Sequence, residues 1–197
     1  QAKETYMLFG ENKTESWLEY DWLLNAVPSI VRVNLALHDL KPAPGGEFLL
    51  FMRCSPAEPG KNEMDAQDKR AASALKKKLT KQLHAVYAGS IECGPDLRLY
   101  FYADSDSEGE RLHHIAQRAK LLCDCRIAHE PDRKTYYKLL YPDAAKYQTV
   151  LNSETIEKMR AEGDSIYAPR RVNLHMQFPA EPERVNFQEE ARLRGFV

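Results

Sequence analysis

Hydrophobic and polar positions follow two different periods along this chain. From Ser29 to Leu37, Val31, Val33, Leu35 and Leu37 fall on one side and Arg32 and Asn34 on the other, the alternation of a half-buried strand. The apolar, aromatic segment Trp17–Leu24 precedes it and is expected to pair with it as a hairpin. Lys41–Gly46 is a loop, and Glu47–Cys54 carries an unbroken Phe-Leu-Leu-Phe-Met run, as in a strand covered on both faces. Ser55–Asn62, with Pro56, Pro59 and Gly60, is a second loop. From Asp65 the period lengthens: Ala72, Leu75, Leu79, Leu83 and Val86 recur every three or four residues, the stripe of an amphipathic helix. Lys77 and Lys81 fall opposite that stripe, with Lys76 and Lys78 flanking it, a pattern read first as a solvated face. Ala85–Ile91 and Leu97–Ala103 read as strands joined by a turn around Gly94-Pro95-Asp96. Ser107 with Glu110 reads as a capping box for a second helix, striped by Leu112, Ile115, Ala116, Ala119 and Leu122. Cys125–Ala128 and Thr135–Tyr141 complete the set as a last strand, interrupted by a turn at Pro131.

From Glu47 onward the predicted order is strand, helix, strand, strand, helix, strand. This predicts an α+β fold, a ferredoxin-like βαββαβ sandwich with an N-terminal β-hairpin extension, over residues 1–141. Right-handed crossovers would set both helices on one sheet face. Residues 142–197 are expected to form part of a second αβ unit. It comprises helical stretches at Asp143–Leu151 and Ser153–Glu162, a strand with Val172, Leu174, Met176 and Phe178 on one face, and a closing helix Pro182–Arg194. One strand and one helix bury too little surface to stand alone. That strand is therefore expected to dock on the first domain or to pair with its copy in a homodimer.

Composition changes this picture little. A hydrophobic share of 43% with 10% aromatic residues supports a packed core and excludes a largely disordered chain. No apolar run approaches the roughly 18 residues of a membrane helix, and no membrane partner is expected. Lys plus Arg is 28 against 29 for Asp plus Glu, without the basic excess that phosphate-backbone binding usually needs, so nucleic acid is not the expected partner. Cys54, Cys93, Cys123 and Cys125 read as reduced, packed thiols. The chain begins with Gln1, which implies an upstream segment; the cytoplasm is the expected compartment, or the periplasm if that segment was a signal peptide.

Chemistry-bearing motifs are sparse. His113, His114, Cys123, Cys125 and His129 do not have zinc-ligand spacing. The acidic loop Asp104, Asp106, Glu108, Glu110 lacks the calcium-loop pattern and instead suits a helix N-terminus. With no nucleophile elbow and no glycine-rich phosphate loop, no catalytic residue, metal or cofactor is expected, and an enzyme is left as an alternative whose residues would converge only in space. Two surfaces remain. Trp17, Tyr20, Tyr136, Tyr137 and Tyr141 are of the types that anchor protein interfaces, and would alternatively pack the junction between the domains. On the strand 97–103, Leu97, Leu99 and Phe101 should face the helices. Arg98, Tyr100 and Tyr102 would then lie on the opposite face, where a single-stranded RNA could stack.

A series of short motifs carries a resemblance. Trp17-x-x-Tyr20, Pro28-Ser-Ile-Val-Arg-Val-Asn34, Ala85-Val-Tyr-Ala-Gly89, Tyr100-Phe-Tyr102 and Tyr137-x-x-Leu-Tyr-Pro142 are followed by Gly163-Asp164, Pro169-Arg170, Phe178-Pro179 and Arg194-Gly-Phe196. Their order resembles the bacterial domain of unknown function 695, followed by the start of a ribonuclease E inhibitor domain of the regulator-of-ribonuclease-activity-B type. The first part implies no activity. The second implies a non-enzymatic protein-binding regulator that restrains an endoribonuclease of the RNA degradosome.

Overall fold

The computed structural model describes residues 16–39, 45–58, 60–169 and 176–195. The chain divides into two compact units, one ending at Glu154 and the other beginning at Thr155.

The first unit is built on one antiparallel sheet of six strands in the order β1-β2-β4-β5-β3-β6. Strands β1 (Trp17–Leu24) and β2 (Val27–Asn34) form the expected hairpin, closed by Asn25 and Ala26. Both turn residues have positive φ, 51° and 64°, as a two-residue turn matching the strand twist requires. β2 ends earlier than its alternation suggested. Asn34 Oδ1 accepts from the backbone N–H of Ser16 and of Ala36, both at 3.1 Å, and turns the chain into the short helix α1 (Ala36–Asp39). Leu37 is buried from that turn rather than from a strand.

The hairpin joins the sheet where β2 pairs with β4 (Ala85–Cys93). Gly89 makes the junction close: a Cβ there would lie 2.3 Å from the carbonyl oxygen of Arg32, so only glycine fits. β4 continues through the Gly94-Pro95 turn into β5 (Asp96–Ala103), which pairs with β3 (Phe48–Ser55), and β3 pairs in turn with the edge strand β6 (Leu122–His129).

The helices α2 (Ala66–Gln82) and α3 (Glu108–Ala116) share one sheet face. Ala72, Leu75, Leu79 and Leu83 carry the stripe read from the sequence, and they meet Leu50, Met52, Leu99 and Phe101. Asp65 caps α2 by accepting from the N–H of Gln67 at 2.8 Å and of Asp68 at 2.9 Å. Lys61, at 2.7 Å, together with these amides holds the Asp65 carboxyl down at about 2. The capping box expected at Ser107 does not form. Ser107 is already helical, with φ −57° and ψ −25°, and its hydroxyl lies 2.9 Å from that of Ser105. α3 is also shorter than its stripe implied: the chain leaves the helix after Ala116, Leu121 takes the core position, and Leu122 opens β6 exposed to solvent.

The segment Thr135–Tyr141 is not a strand. Tyr136–Leu140 is a π-helical turn, with Tyr136 and Leu140 buried four residues apart. An alternating strand would have placed Lys138 on the buried side between them. The turn covers the sheet face opposite α2 and α3, above Tyr20, Val31, Val33 and Tyr102.

Asp143–Leu151 and Ser153–Glu162 form one helix, α4 (Ala144–Ala161), within which the Ser153 hydroxyl donates back to the Thr149 carbonyl at 3.0 Å. In the second unit, Gly163 with φ 83° ends this helix, and α5 (Glu181–Leu193) has its Phe187 ring 5.2 Å from that of Phe178. Of the strand expected over this unit, Val172 and Leu174 lie outside the described residues. Met176 and Phe178 are in irregular chain.

Candidate functional site

The five aromatic residues nominated from the sequence do not form one patch. Tyr136 is wholly buried, and its hydroxyl donates to the Asn34 carbonyl at 2.8 Å. Tyr20, also buried, donates to the Leu140 carbonyl at 2.9 Å. Both tether the π-helical turn to the hairpin. Tyr141 stacks on His38 at 4.4 Å between ring centres. Tyr137 remains 44% exposed. Trp17 stands elsewhere, half-buried against the α2 side of the sheet, its ring 5.1 Å from that of Tyr87 and under the Arg32 guanidinium at 5.2 Å.

The strand β5 divides as the sequence suggests, with Leu97, Leu99 and Phe101 toward the helices and Tyr100 and Tyr102 on the other face. Both tyrosines are buried, and Arg98 is half-buried. Tyr102 donates to Glu130 Oε2 at 2.7 Å and accepts from the Tyr136 N–H at 3.3 Å. Glu130 also accepts from the N–H of Thr135 at 3.0 Å and its hydroxyl at 2.8 Å. Burial, and then the Glu130 carboxylate, push the Tyr102 phenol far above its usual range; burial pushes Tyr100 up to about 12. A base can stack on Tyr102 only after the π-helical turn is lifted away.

An open surface lies between the hairpin and α2. It is a groove of about 1000 Å³, and its floor is the side of β1, β2 and β4 that extends past α2. Strand register orders the floor into rows: Glu19, Arg32 and Ser90 lie opposite one another, and Asp21, Ile30 and Glu92 follow. α2 supplies the wall through Lys69, Ser73 and Lys76. The Lys76 ammonium sits 5.5 Å over the Tyr87 ring; burial, and then the neighbouring Arg32, lower its pKa. The lysine run is thus divided, with Lys76 turned to the groove and Lys77, Lys78 and Lys81 exposed to water.

At the hairpin end the rim is apolar. Leu23 is 62% exposed, Ile30 41% and Val27 40%, and beside them Trp22 lies under the Lys146 ammonium at 4.4 Å. Residues that remain apolar on both sides of a strand are the signal that marks this hairpin as more than a core element. The groove itself joins residues far apart in sequence and is not readable from their spacing.

Among the described residues no three His, Cys, Asp or Glu side chains are grouped to hold a metal ion, and no helix is long and apolar enough to cross a membrane. The groove brings together charges of both signs in cross-strand rows, a wall carrying Lys69 and Lys76, and an apolar lip. No curated protein and no solved structure matches the chain. Residues 15–141, most of the first unit, match the Family of unknown function (DUF695), and the chain belongs to that family.

Proposed function

We propose that the chain is a non-enzymatic protein-binding regulator that receives a segment of its partner in the groove between the hairpin and α2. The observation that carries this reading is the combination of a long open floor with charges in cross-strand rows and an exposed apolar rim. Small molecules are usually held in closed cavities that bury most of their surface. An open groove with an apolar anchor region and a polar surround has instead the make-up of a protein interface. The resemblance of the C-terminal part to a ribonuclease E inhibitor makes an endoribonuclease of the RNA degradosome the first partner to test.

The strand order supports a ferredoxin-like reading of the first unit. Its last four strands run β6-β3-β5-β4, with α2 and α3 on one face, and the hairpin extends the sheet beyond β4. In that reading the hairpin is the family's addition to a common frame, and the groove is what the addition creates.

The test is calorimetric titration of the intact protein with purified ribonuclease E, repeated with Arg32→Glu and Leu23→Asp. Expected is binding that weakens at least tenfold in each variant while the melting temperature stays close to wild type. Tight binding that both variants retain would remove the groove from the proposal. Absence of binding by the wild type would remove this partner.

A further inference from the structure

Cys54, Cys123 and Cys125 lie on the α2–α3 side of the sheet, whereas Cys93 faces the other way. Cys54 on β3 and Cys123 on β6 are direct cross-strand partners, with Sγ atoms 3.9 Å apart. Residues directly opposed in an antiparallel pair have Cα atoms about 4.5–5.5 Å apart. That lies inside the range of about 4.4–6.8 Å that a disulfide bridges without moving the backbone. Cys123 and Cys125, two residues apart on one strand, stand at the upper limit of that range. β6 is the edge strand of the sheet, so Cys123 can close on Cys54 without displacing a further strand.

The two sulfurs also differ in access. Cys54 has no exposed surface, whereas Cys123 is half-buried. In the neutral pair the Cys123 S–H donates, to Cys54 at 3.9 Å and to the Leu121 carbonyl at 3.6 Å; on ionisation the charge falls on Cys123, and the Cys54 S–H donates to it. That hydrogen bond lowers the Cys123 pKa, and together with burial it raises that of Cys54. The thiolate is the nucleophile in thiol oxidation, so the more accessible sulfur is also the more reactive one.

We propose that Cys123 and Cys54 form an oxidation site for hydroperoxides, in which Cys123 reacts first and Cys54 resolves it into a reversible disulfide. In the first step the Cys123 thiolate attacks one peroxide oxygen. The S–O bond forms, the O–O bond breaks, and the leaving hydroxide takes the proton given up by Cys123 and departs as water. In the second step the Cys54 sulfur attacks the Cys123 sulfenic acid; the S–S bond forms, the S–O bond breaks, and the hydroxide leaves with the Cys54 proton as a second water. Both sulfurs are oxidised and the peroxide is reduced. An external dithiol reverses the change by exchange.

The experiment treats the intact protein with an equivalent of hydrogen peroxide, alkylates the remaining thiols and maps the peptides by mass spectrometry. Expected is the loss of two of the four thiols, a single linked peptide joining Cys54 to Cys123, and recovery of both thiols with dithiothreitol. Cys125→Ser should keep the bridge. Cys54→Ala should leave a Cys123 sulfenic acid that a cyclic dione captures, and Cys123→Ser should leave the remaining thiols unoxidised. If Cys54→Ala fails to fold, the wild-type map and Cys125→Ser decide the matter. Four intact thiols in the treated wild type, or a bridge made through Cys93 or Cys125, would overturn the proposal.

Discussion

On the sheet face that carries α2 and α3, Leu50, Met52, Leu99 and Phe101 meet Leu75, Leu79, Leu112 and Ile115. The contacts are aliphatic and aromatic, made by two helices whose own stripes face inward. On the opposite face Tyr20, Tyr102 and Tyr136 lie beneath a single π-helical turn, and each spends its hydroxyl on a named partner: Leu140, Glu130 and Asn34. One face is held by area and shape, which are non-directional; the other adds hydrogen bonds that must each be made, because a buried polar group without a partner is costly. The first should therefore fail globally and in proportion to volume removed, and the second locally and one tether at a time.

The largest effect is expected on the helical face. Leu79 is wholly buried between α2 and the sheet, so Leu79→Ala removes packed volume from the centre of the core. The cost should be about 3 kcal/mol, read as a cooperative fall in chemical or thermal stability with every probe moving together. A loss confined to α2 while the sheet melts unchanged would break the comparison.

On the tyrosine face, Tyr136→Phe removes the hydrogen bond to the Asn34 carbonyl at a cost of about 1–2 kcal/mol, and Tyr20→Phe removes the one to the Leu140 carbonyl at a similar cost. Both hydroxyls tether one turn, so the double variant should cost less than the sum of the two. The readout is hydrogen exchange, in which the amides of residues 135–141 should lose protection before those of β3 and β5.

That difference between the faces also decides what the sequence could disclose. The stripe Ala72, Leu75, Leu79, Leu83 and the sidedness of Leu97, Leu99 and Phe101 are legible because repeated positions carry the same physical demand. The seven residues Thr135–Tyr141 are too few for one period to dominate, and their fold is set by hydroxyl partners on strands about one hundred residues away. Tyr20 and Tyr136 stand out in the sequence as aromatic anchors, and in the fold their hydroxyls tether the turn. Glu130, the carboxylate that joins Tyr102 to Thr135, carries no motif at all. The groove follows the same rule: its charged rows are written in strand register, which only the pairing of β1, β2 and β4 makes visible.

Alkaline pH separates the faces by a smaller amount. Burial raises the phenols of Tyr20, Tyr100 and Tyr102 on the turn side, and of Tyr87 on the helical side, above the usual value of 10.0. A phenol held neutral in the fold stabilises it fully below that usual value. The contribution drains away as pH rises from there toward the folded pKa, because the unfolded chain ionises first. The melting temperature should therefore begin to fall above pH 10, and Tyr102→Phe should flatten that slope more than Tyr87→Phe. Equal flattening by the two would show that burial alone, without the Glu130 carboxylate, governs the response.

The smallest effect concerns the hairpin that belongs to both faces, since β1 and β2 supply Tyr20 to the turn side and Glu19 and Arg32 to the groove. Its turn places Ala26 at φ 64°, a left-handed conformation that costs a residue with a Cβ about 1 kcal/mol. Ala26→Gly removes that penalty but gives the unfolded chain more freedom, which takes back part of the gain. Ala26 is exposed and the turn closes the far end of the hairpin, so no core contact changes. A net gain of about 0.5 kcal/mol is expected, read as a small rise in melting temperature. If the hairpin is a rigid part of the groove floor, affinity for the proposed partner should stay at the wild-type value. If affinity rises with stability instead, the hairpin frays in the free protein and closes only when the groove is filled.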